Sequence, residues 1–198
     1  MKYIKLLLPI NLAFLLVACS SHQPTSFYQL KAMETADIEA NKLQAKETTV
    51  LINPIKFPEY LDRPQLIIRD NDYKLQLSEN HRWAEPLKNE FFRVLMENIN
   101  NRLAPGHAVN YSELNAVNPA IHVSIEVLQL DVSIDNQAVL SVKWILNKDK
   151  TIKRYKHQYT IAVTNKNYQS RVEAQSKTVS LFADQLVKTM ATFQQAQQ

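Results

Sequence analysis

The chain has 198 residues, a length that fits one domain with a substantial core. Its one glycine excludes a phosphate-cradling loop and a dinucleotide fingerprint, and its one cysteine excludes an internal disulfide. The formal charge of +4 includes Lys2 and Lys5 of a leader segment. Without them the balance is near neutral, and with no clustered basic surface in view the sequence implies no nucleic-acid partner.

Lys2 and Lys5 precede a short apolar run, Leu6 to Val17, that ends in Leu16-Val17-Ala18-Cys19. This is the pattern of a signal peptide with a lipobox, residues 1–18, cleaved before Cys19. A permanent membrane-spanning helix takes roughly 20 apolar residues, and this run is shorter. Cys19 is therefore expected to carry a covalent diacylglycerol and an N-acyl chain such as palmitate, and no other cofactor or metal is expected. Several acyl chains on one residue exceed the single-chain case, which binds only marginally, so the anchor is predicted to be stable. Ser20 to Gln23 contain no aspartate of the kind that retains lipoproteins in the inner membrane under the usual enterobacterial sorting rule. That predicts the periplasmic face of the outer membrane, with residues 19–26 as lipidated N-terminus and short polar tether.

Phe27 to Leu30 reads as a first strand, and residues 31–47 as a loop or a weak, exposed helix. Thr48 to Ile55 is apolar and β-branched, a second strand that leads past Pro54 and Pro58 into a turn. Glu59 to Pro64 forms that turn or a single helical turn. Gln65–Arg69 and Tyr73–Leu77 then pair as a hairpin around the turn-forming Asp70-Asn71-Asp72. Trp83, Leu87, Phe91, Val94, Leu95, Ile99 and Leu103 recur at helical steps, which predicts a helix opening at Trp83, with Pro86 in its first turn and Pro105-Gly106 as its stop.

In the second half, Ile121, Val123, Ile125 and Val127 lie on one phase and Leu128, Leu130, Val132 and Ile134 on the other. The flip at Val127-Leu128 means a bulge or burial on both faces. Ala138 to Leu146 and Tyr155 to Val163 alternate in turn, making an antiparallel meander with polar turns at Asp135-Asn136 and Asn147 to Lys150. Val172 to Phe193 is a second amphipathic helix, followed by a fraying tail, residues 194–198. The apolar sides of these elements must bury one another. The fold class is α/β, with residues 27–193 a single-domain sandwich of a mixed, largely antiparallel sheet and two main amphipathic helices.

Catalytic signatures are sparse. A lipidated Cys19 offers no thiol nucleophile, no Gly-x-Ser-x-Gly elbow presents a serine, and the five histidines are dispersed. Glu79, His81 and Glu85 could converge on a metal or act as an acid/base set, but a solvated turn before a helix carries such residues for capping reasons. His157, Tyr159 and Trp144 lie on core phases. Trp83 is open to two readings, packing against the sheet or anchoring an interface.

Two segments carry a resemblance: Pro58-Glu59-Tyr60-Leu61-Asp62-Arg63-Pro64-Gln65-Leu66-Ile67-Ile68-Arg69 and Arg82-Trp83-Ala84-Glu85-Pro86-Leu87. Their order and spacing, the helix that follows, and Phe27-Tyr28-Gln29-Leu30 after a lipidated cysteine resemble the PqiC family, also called YmbA-like or ABC-type transport auxiliary lipoproteins. The resemblance covers essentially the whole mature chain. It implies a non-enzymatic outer-membrane lipoprotein that docks, as an adaptor, in a Pqi-type system moving lipids between the two membranes and supporting envelope integrity. The implied partners are an MCE-domain tunnel protein (PqiB-like) and, through it, an integral inner-membrane protein (PqiA-like). Phospholipid binding and a homo-oligomer are both compatible with it. Tyr60, Leu61, Asp62, Arg63, Pro64, Arg82, Trp83, Glu85 and Pro86 are the candidates for contact with the tunnel protein or for holding the domain together. In the structural reading Asp62 and Arg63 pair with Arg82 and Glu85. A different class of function, a regulatory lipoprotein that activates a periplasmic cell-wall synthase, calls for a long tether, whereas the stretch before Phe27 is short.

Overall fold

The computed structural model describes residues 23–33, 49–103, 108–110 and 121–195. The signal peptide, Cys19, most of the loop 31–47, the Pro105-Gly106 stop and the end of the tail lie outside the described residues. Eight strands form one sheet: β1 (Ser26–Tyr28), β2 (Val50–Ile52), β3 (Gln65–Asn71), β4 (Lys74–Trp83), β5 (Ala108–Asn110), β6 (Ile121–Ser133), β7 (Gln137–Lys148) and β8 (Thr151–Ala162). Among the described residues two α-helices accompany it, α1 (Leu87–Arg102) and α2 (Tyr168–Gln195). The architecture is the mixed, mostly antiparallel α/β arrangement that the periodicities predict.

Strand β6 is the spine. Along one edge it pairs with β7, and β7 with β8, all antiparallel. Along the other edge it changes partner: Ile121 to Val123 run parallel to β2, and Val132 and Ser133 run parallel to Ile68 and Arg69 of β3. The sheet therefore forks, one arm continuing from β2 to β5 and the other from β3 through β4 to β1. The register slips between Val127 and Gln129, so the phase flip is a bulge, and Leu130 and Val132 rejoin the buried face of Ile121 to Val127. In a chain with one glycine, the two hairpin turns place Asn136 and Asp149 at φ of 57° and 54°, residue types whose short polar side chains tolerate this region.

Both helices cover one face, and their stripes meet the inward residues of β6 and β7 in one core, with Phe91, Phe182 and Trp144 buried. Truncating a buried aromatic of this kind costs about 3–5 kcal/mol. At the fork a charge is buried instead. Asp131 is fully buried and is held by Arg69 at 2.7 Å, by the Tyr60 hydroxyl at 3.2 Å and by Gln129 Nε2 at 2.8 Å. A second buried charge, Arg102, ties α1 to α2 through Asp184 and the Ser180 carbonyl and hydroxyl. The chain after β1 lies against both helices, and side chains take up its backbone donors: Leu30 N–H to Glu90 at 2.6 Å, Lys31 N–H to Ser176 at 3.1 Å and Met33 N–H to Asn98 at 3.2 Å.

Two predictions need correction, and one strand, β5, was missed. Trp83 does not open a helix; it ends β4, paired with Tyr28, and α1 starts at Leu87 with Pro86 as its N-cap. Trp83 matches the helical step only because both it and Leu87 face the core. Glu85, preceding a proline, is biased away from helical geometry, which is a readable stop signal. Strand β5 is too short to show a period. Helix α2 begins at Tyr168, four residues earlier than Val172, capped by Asn167, whose Oδ1 accepts the Ser170 N–H at 2.8 Å.

Candidate functional site

Pro58 enters a 3-10 turn, Glu59–Leu61, closed by Leu61 N–H to Pro58 O and Asp62 N–H to Glu59 O, both 3.0 Å. Leu61 is buried and anchors the turn in the core, while Asp62, Arg63 and Pro64 stand exposed. Tyr60 points the other way, into the fork. Its hydroxyl pKa is pushed up to about 12 by burial first and then by the Asp131 carboxylate, with Arg69 opposing. Tyr60 is thus a hydrogen-bond donor to Asp131 and a partner for the Arg69 guanidinium, whose Cζ lies 5.8 Å from its ring centre.

The second segment reaches the same place from β4. Gln65 pairs with Arg82 but Leu66 with Ser78, so Glu79 to His81 bulge out of the ladder, and Arg82 Nε closes the bulge on the Glu79 carbonyl at 3.0 Å. Trp83 N–H donates to Pro64 O at 2.7 Å, and Ala84 N–H to Tyr28 O at 2.9 Å. Trp83 is buried, and Glu85 and Pro86 are exposed at the start of α1. Residues far apart in sequence therefore line one depression of about 230 Å³, walled by Asp62-Arg63-Pro64 on one side and Trp83-Ala84-Glu85-Pro86 on the other.

Of the nine candidates, Asp62, Arg63, Pro64, Glu85 and Pro86 share this rim, Arg82 is half-buried behind it, and Leu61 and Trp83 are buried beneath. Tyr60 belongs to the fork. Among the described residues, Asp62 and Arg63 form no ion pair with Arg82 or Glu85. Turn and strand are pinned by the Trp83–Pro64 backbone bond instead. Cys19 lies outside the described residues.

Glu79, His81 and Glu85 do not converge: among the described residues no group of three His, Cys, Asp or Glu is placed to hold a metal ion. The His81 ring stacks on Tyr168 at 3.6 Å between centroids, and its Nδ1 lies 2.8 Å from the Tyr28 hydroxyl. Burial first and the nearby Arg171 second lower its pKa, and through these two contacts the ring ties β1 to α2. His157 is likewise occupied, accepting from Trp144 Nε1 at 3.3 Å. Sequence reasoning missed Asp131, Arg69 and Glu90. Glu90 sits on the apolar stripe between Leu87 and Phe91, and a carboxylate there is a signal that was available.

The rim offers mixed charge and a rigid turn, and pairs no nucleophile with a base. Fold and rim together define a helix-backed domain with an exposed rim at the root of α1. The chain belongs to the family of ABC-type transport auxiliary lipoprotein components, whose model matches residues 28–187. It is an auxiliary lipoprotein of a transport system. Over 144 residues it is 25% identical to the intermembrane transport lipoprotein PqiC of Escherichia coli (strain K12), covering 72% of this chain and 74% of the relative, and the match to its Shigella flexneri counterpart is the same. A crystal structure of an uncharacterized protein superposes with a TM-score of 0.70 at 16% identity, over 85% of this chain and 99% of the other. A Xanthomonas campestris protein of family DUF330 also reaches 0.70, at 11% identity, over 88% of this chain and 100% of the other. Among the described residues, no helix is long and apolar enough to cross a membrane.

Proposed function

We propose that this chain is held by acyl groups on Cys19 at the periplasmic face of the outer membrane and serves a Pqi-type lipid-transport system as a docking adaptor, without catalysis. Its partner in this reading is an MCE-domain tunnel protein that links it to an integral inner-membrane protein. The observation that carries the reading is the meeting of the two motif segments in one exposed rim, with their large apolar members buried beneath it. A rim with a fixed backbone loses little entropy on binding, and arginine is enriched at binding hot spots. The seven residue steps from Cys19 to Ser26 span at most about 25 Å, which keeps the domain near its membrane and suits a partner that comes to it.

The test is co-purification from detergent-solubilised envelope with the tagged, lipidated protein, beside Arg63→Ala and Glu85→Ala variants. Both positions are exposed, so the variants are expected to keep their circular dichroism spectra. Recovery of the tunnel protein with wild type, reduced in a folded variant, supports docking through the rim. Recovery of a cell-wall synthase with no tunnel protein overturns the transport reading.

A further inference from the structure

The sheet face opposite the helices carries a cleft of about 590 Å³, within the range of small-ligand pockets. Lys143 of β7 stands directly opposite Lys156 of β8, and Arg154 lies two residues before Lys156 on the same face. Lys56 joins them from the segment that follows β2, where it bridges to Glu126 of β6. All four cations line the cleft, with Glu126 as its single carboxylate and Pro54 and Ile145 as apolar wall. Glu126 is the cross-strand neighbour of Lys143, yet none of the four cations forms an ion pair or a side-chain hydrogen bond with another described residue. Arg154 and Lys156 belong to the basic stretch Lys148–Lys156, while Lys143 comes from β7 and Lys56 from the loop after β2. Folding gathers them.

Like charges directly opposite on neighbouring strands oppose folding, with side chains roughly 5 Å apart at Cβ. An anion between them reverses the sign of that interaction. Lys56, Glu126, Lys143 and Lys156 form one row across the sheet, and at its β8 end Lys143, Arg154 and Lys156 stand together in the cleft, a cluster of three cations that fits a compact, highly charged group better than an acidic peptide. A phosphate ester carries up to two charges and three acceptor oxygens on one atom, enough to serve several ammonium and guanidinium donors together. We propose that this open-face cleft binds a phosphate ester, its apolar substituent resting on Pro54 and Ile145. The inference rests on the cleft and does not depend on docking through the Arg63 rim.

Calorimetry on the full lipidated chain in a neutral detergent tests it, with inorganic phosphate, glycerol 3-phosphate and sub-micellar dihexanoyl phosphatidylglycerol as probes. Saturable binding that weakens with salt is expected. Lys143→Gln combined with Lys156→Gln should weaken it about tenfold or more, and Glu126→Gln should tighten it about threefold. Lys188→Gln on α2 should leave it unchanged. If the paired substitution fails to fold, Lys56→Gln, outside the strands, tests the same point. Stronger binding of the lipid than of glycerol 3-phosphate identifies a lipid headgroup as the source, and equal binding a soluble phosphate ester. Absence of saturable binding by all three probes overturns the proposal. So does binding that the lysine variants retain, or capture of a polyglutamate peptide where the phosphate probes fail.

Discussion

The fork at Asp131 and the cleft on the open face are both built from charged side chains of the β6 neighbourhood, and they treat those charges in opposite ways. At the fork a fully buried carboxylate has three side-chain partners, and Arg69 reaches it through two nitrogens. In the cleft, four cations surround one carboxylate and close no ion pair. Satisfied charge at a branch point fixes which strand pairs where. Unsatisfied charge in a concave surface is a cost to the fold that a ligand can offset. The first kind should break the protein when altered, and the second should not.

The largest expected effect is therefore at the fork. Removing one member of a buried, hydrogen-bonded pair leaves the other uncompensated and costs about 3–5 kcal/mol. Asp131→Ala should lower Tm by roughly 6–20 °C in a domain of this size, read by thermal melts followed by circular dichroism. A drop of only a degree or two would mean that the two arms hold their registers without the carboxylate. Arg69→Met beside Asp131→Leu, which removes both charges, should recover much of the loss.

That fork was not legible in the sequence, and the reason is physical. Asp131 lies just past a bulge, so its place on the alternation is ambiguous until the slip at Leu128 is known, and its partner Arg69 belongs to a strand that joins β6 only in three dimensions. What was legible is local: the alternation of β7 and β8, the stripes of both helices and the Asn136 turn each depend on neighbours along the chain. Trp83 marks the limit of that kind of reading, because a strand residue and a helix residue that face one core can fall on a helical step by coincidence. The rim was legible as two motifs, and its unity was not. It is a backbone bond between Trp83 and Pro64, and no side-chain pattern announces it.

Glu90 stands between the two regions in kind: buried like Asp131, but only half satisfied. One carboxylate oxygen accepts the Leu30 N–H, while the other has no partner among the described residues. Burial raises its pKa despite that bond and the favourable charge of Arg93. The folded state then holds the proton more tightly than the unfolded chain. This contribution is fullest at acid pH and is lost as pH rises from the ordinary glutamate range through the raised value. Glu90→Gln keeps an acceptor for Leu30 and removes the charge. It should melt higher than wild type at neutral pH and should show a flatter decline in Tm as pH rises from the ordinary glutamate range. A lower Tm for Glu90→Gln at neutral pH would mean that the ionised clasp on the chain after β1 outweighs its burial.

The smallest expected effect is at the cleft, and its sign is the informative part. Lys143→Gln removes one of two ammonium groups that face each other across β7 and β8 but also a favourable neighbour of Glu126, and Glu126 retains Lys56 beside it. Cross-strand pairs are worth roughly 0.2–1 kcal/mol each. The repulsive and attractive terms nearly cancel for the single variant, so its Tm should match wild type at low salt. Lys156→Gln loses only the repulsive term, since Ser141, Lys143 and Ile145 are what β7 sets beside and opposite it. It should therefore melt slightly above wild type at low salt, with the difference vanishing as salt screens the pair. A loss of stability in Lys156→Gln would show the ammonium group to be paired within the fold, and would make the cleft a solvated version of the fork.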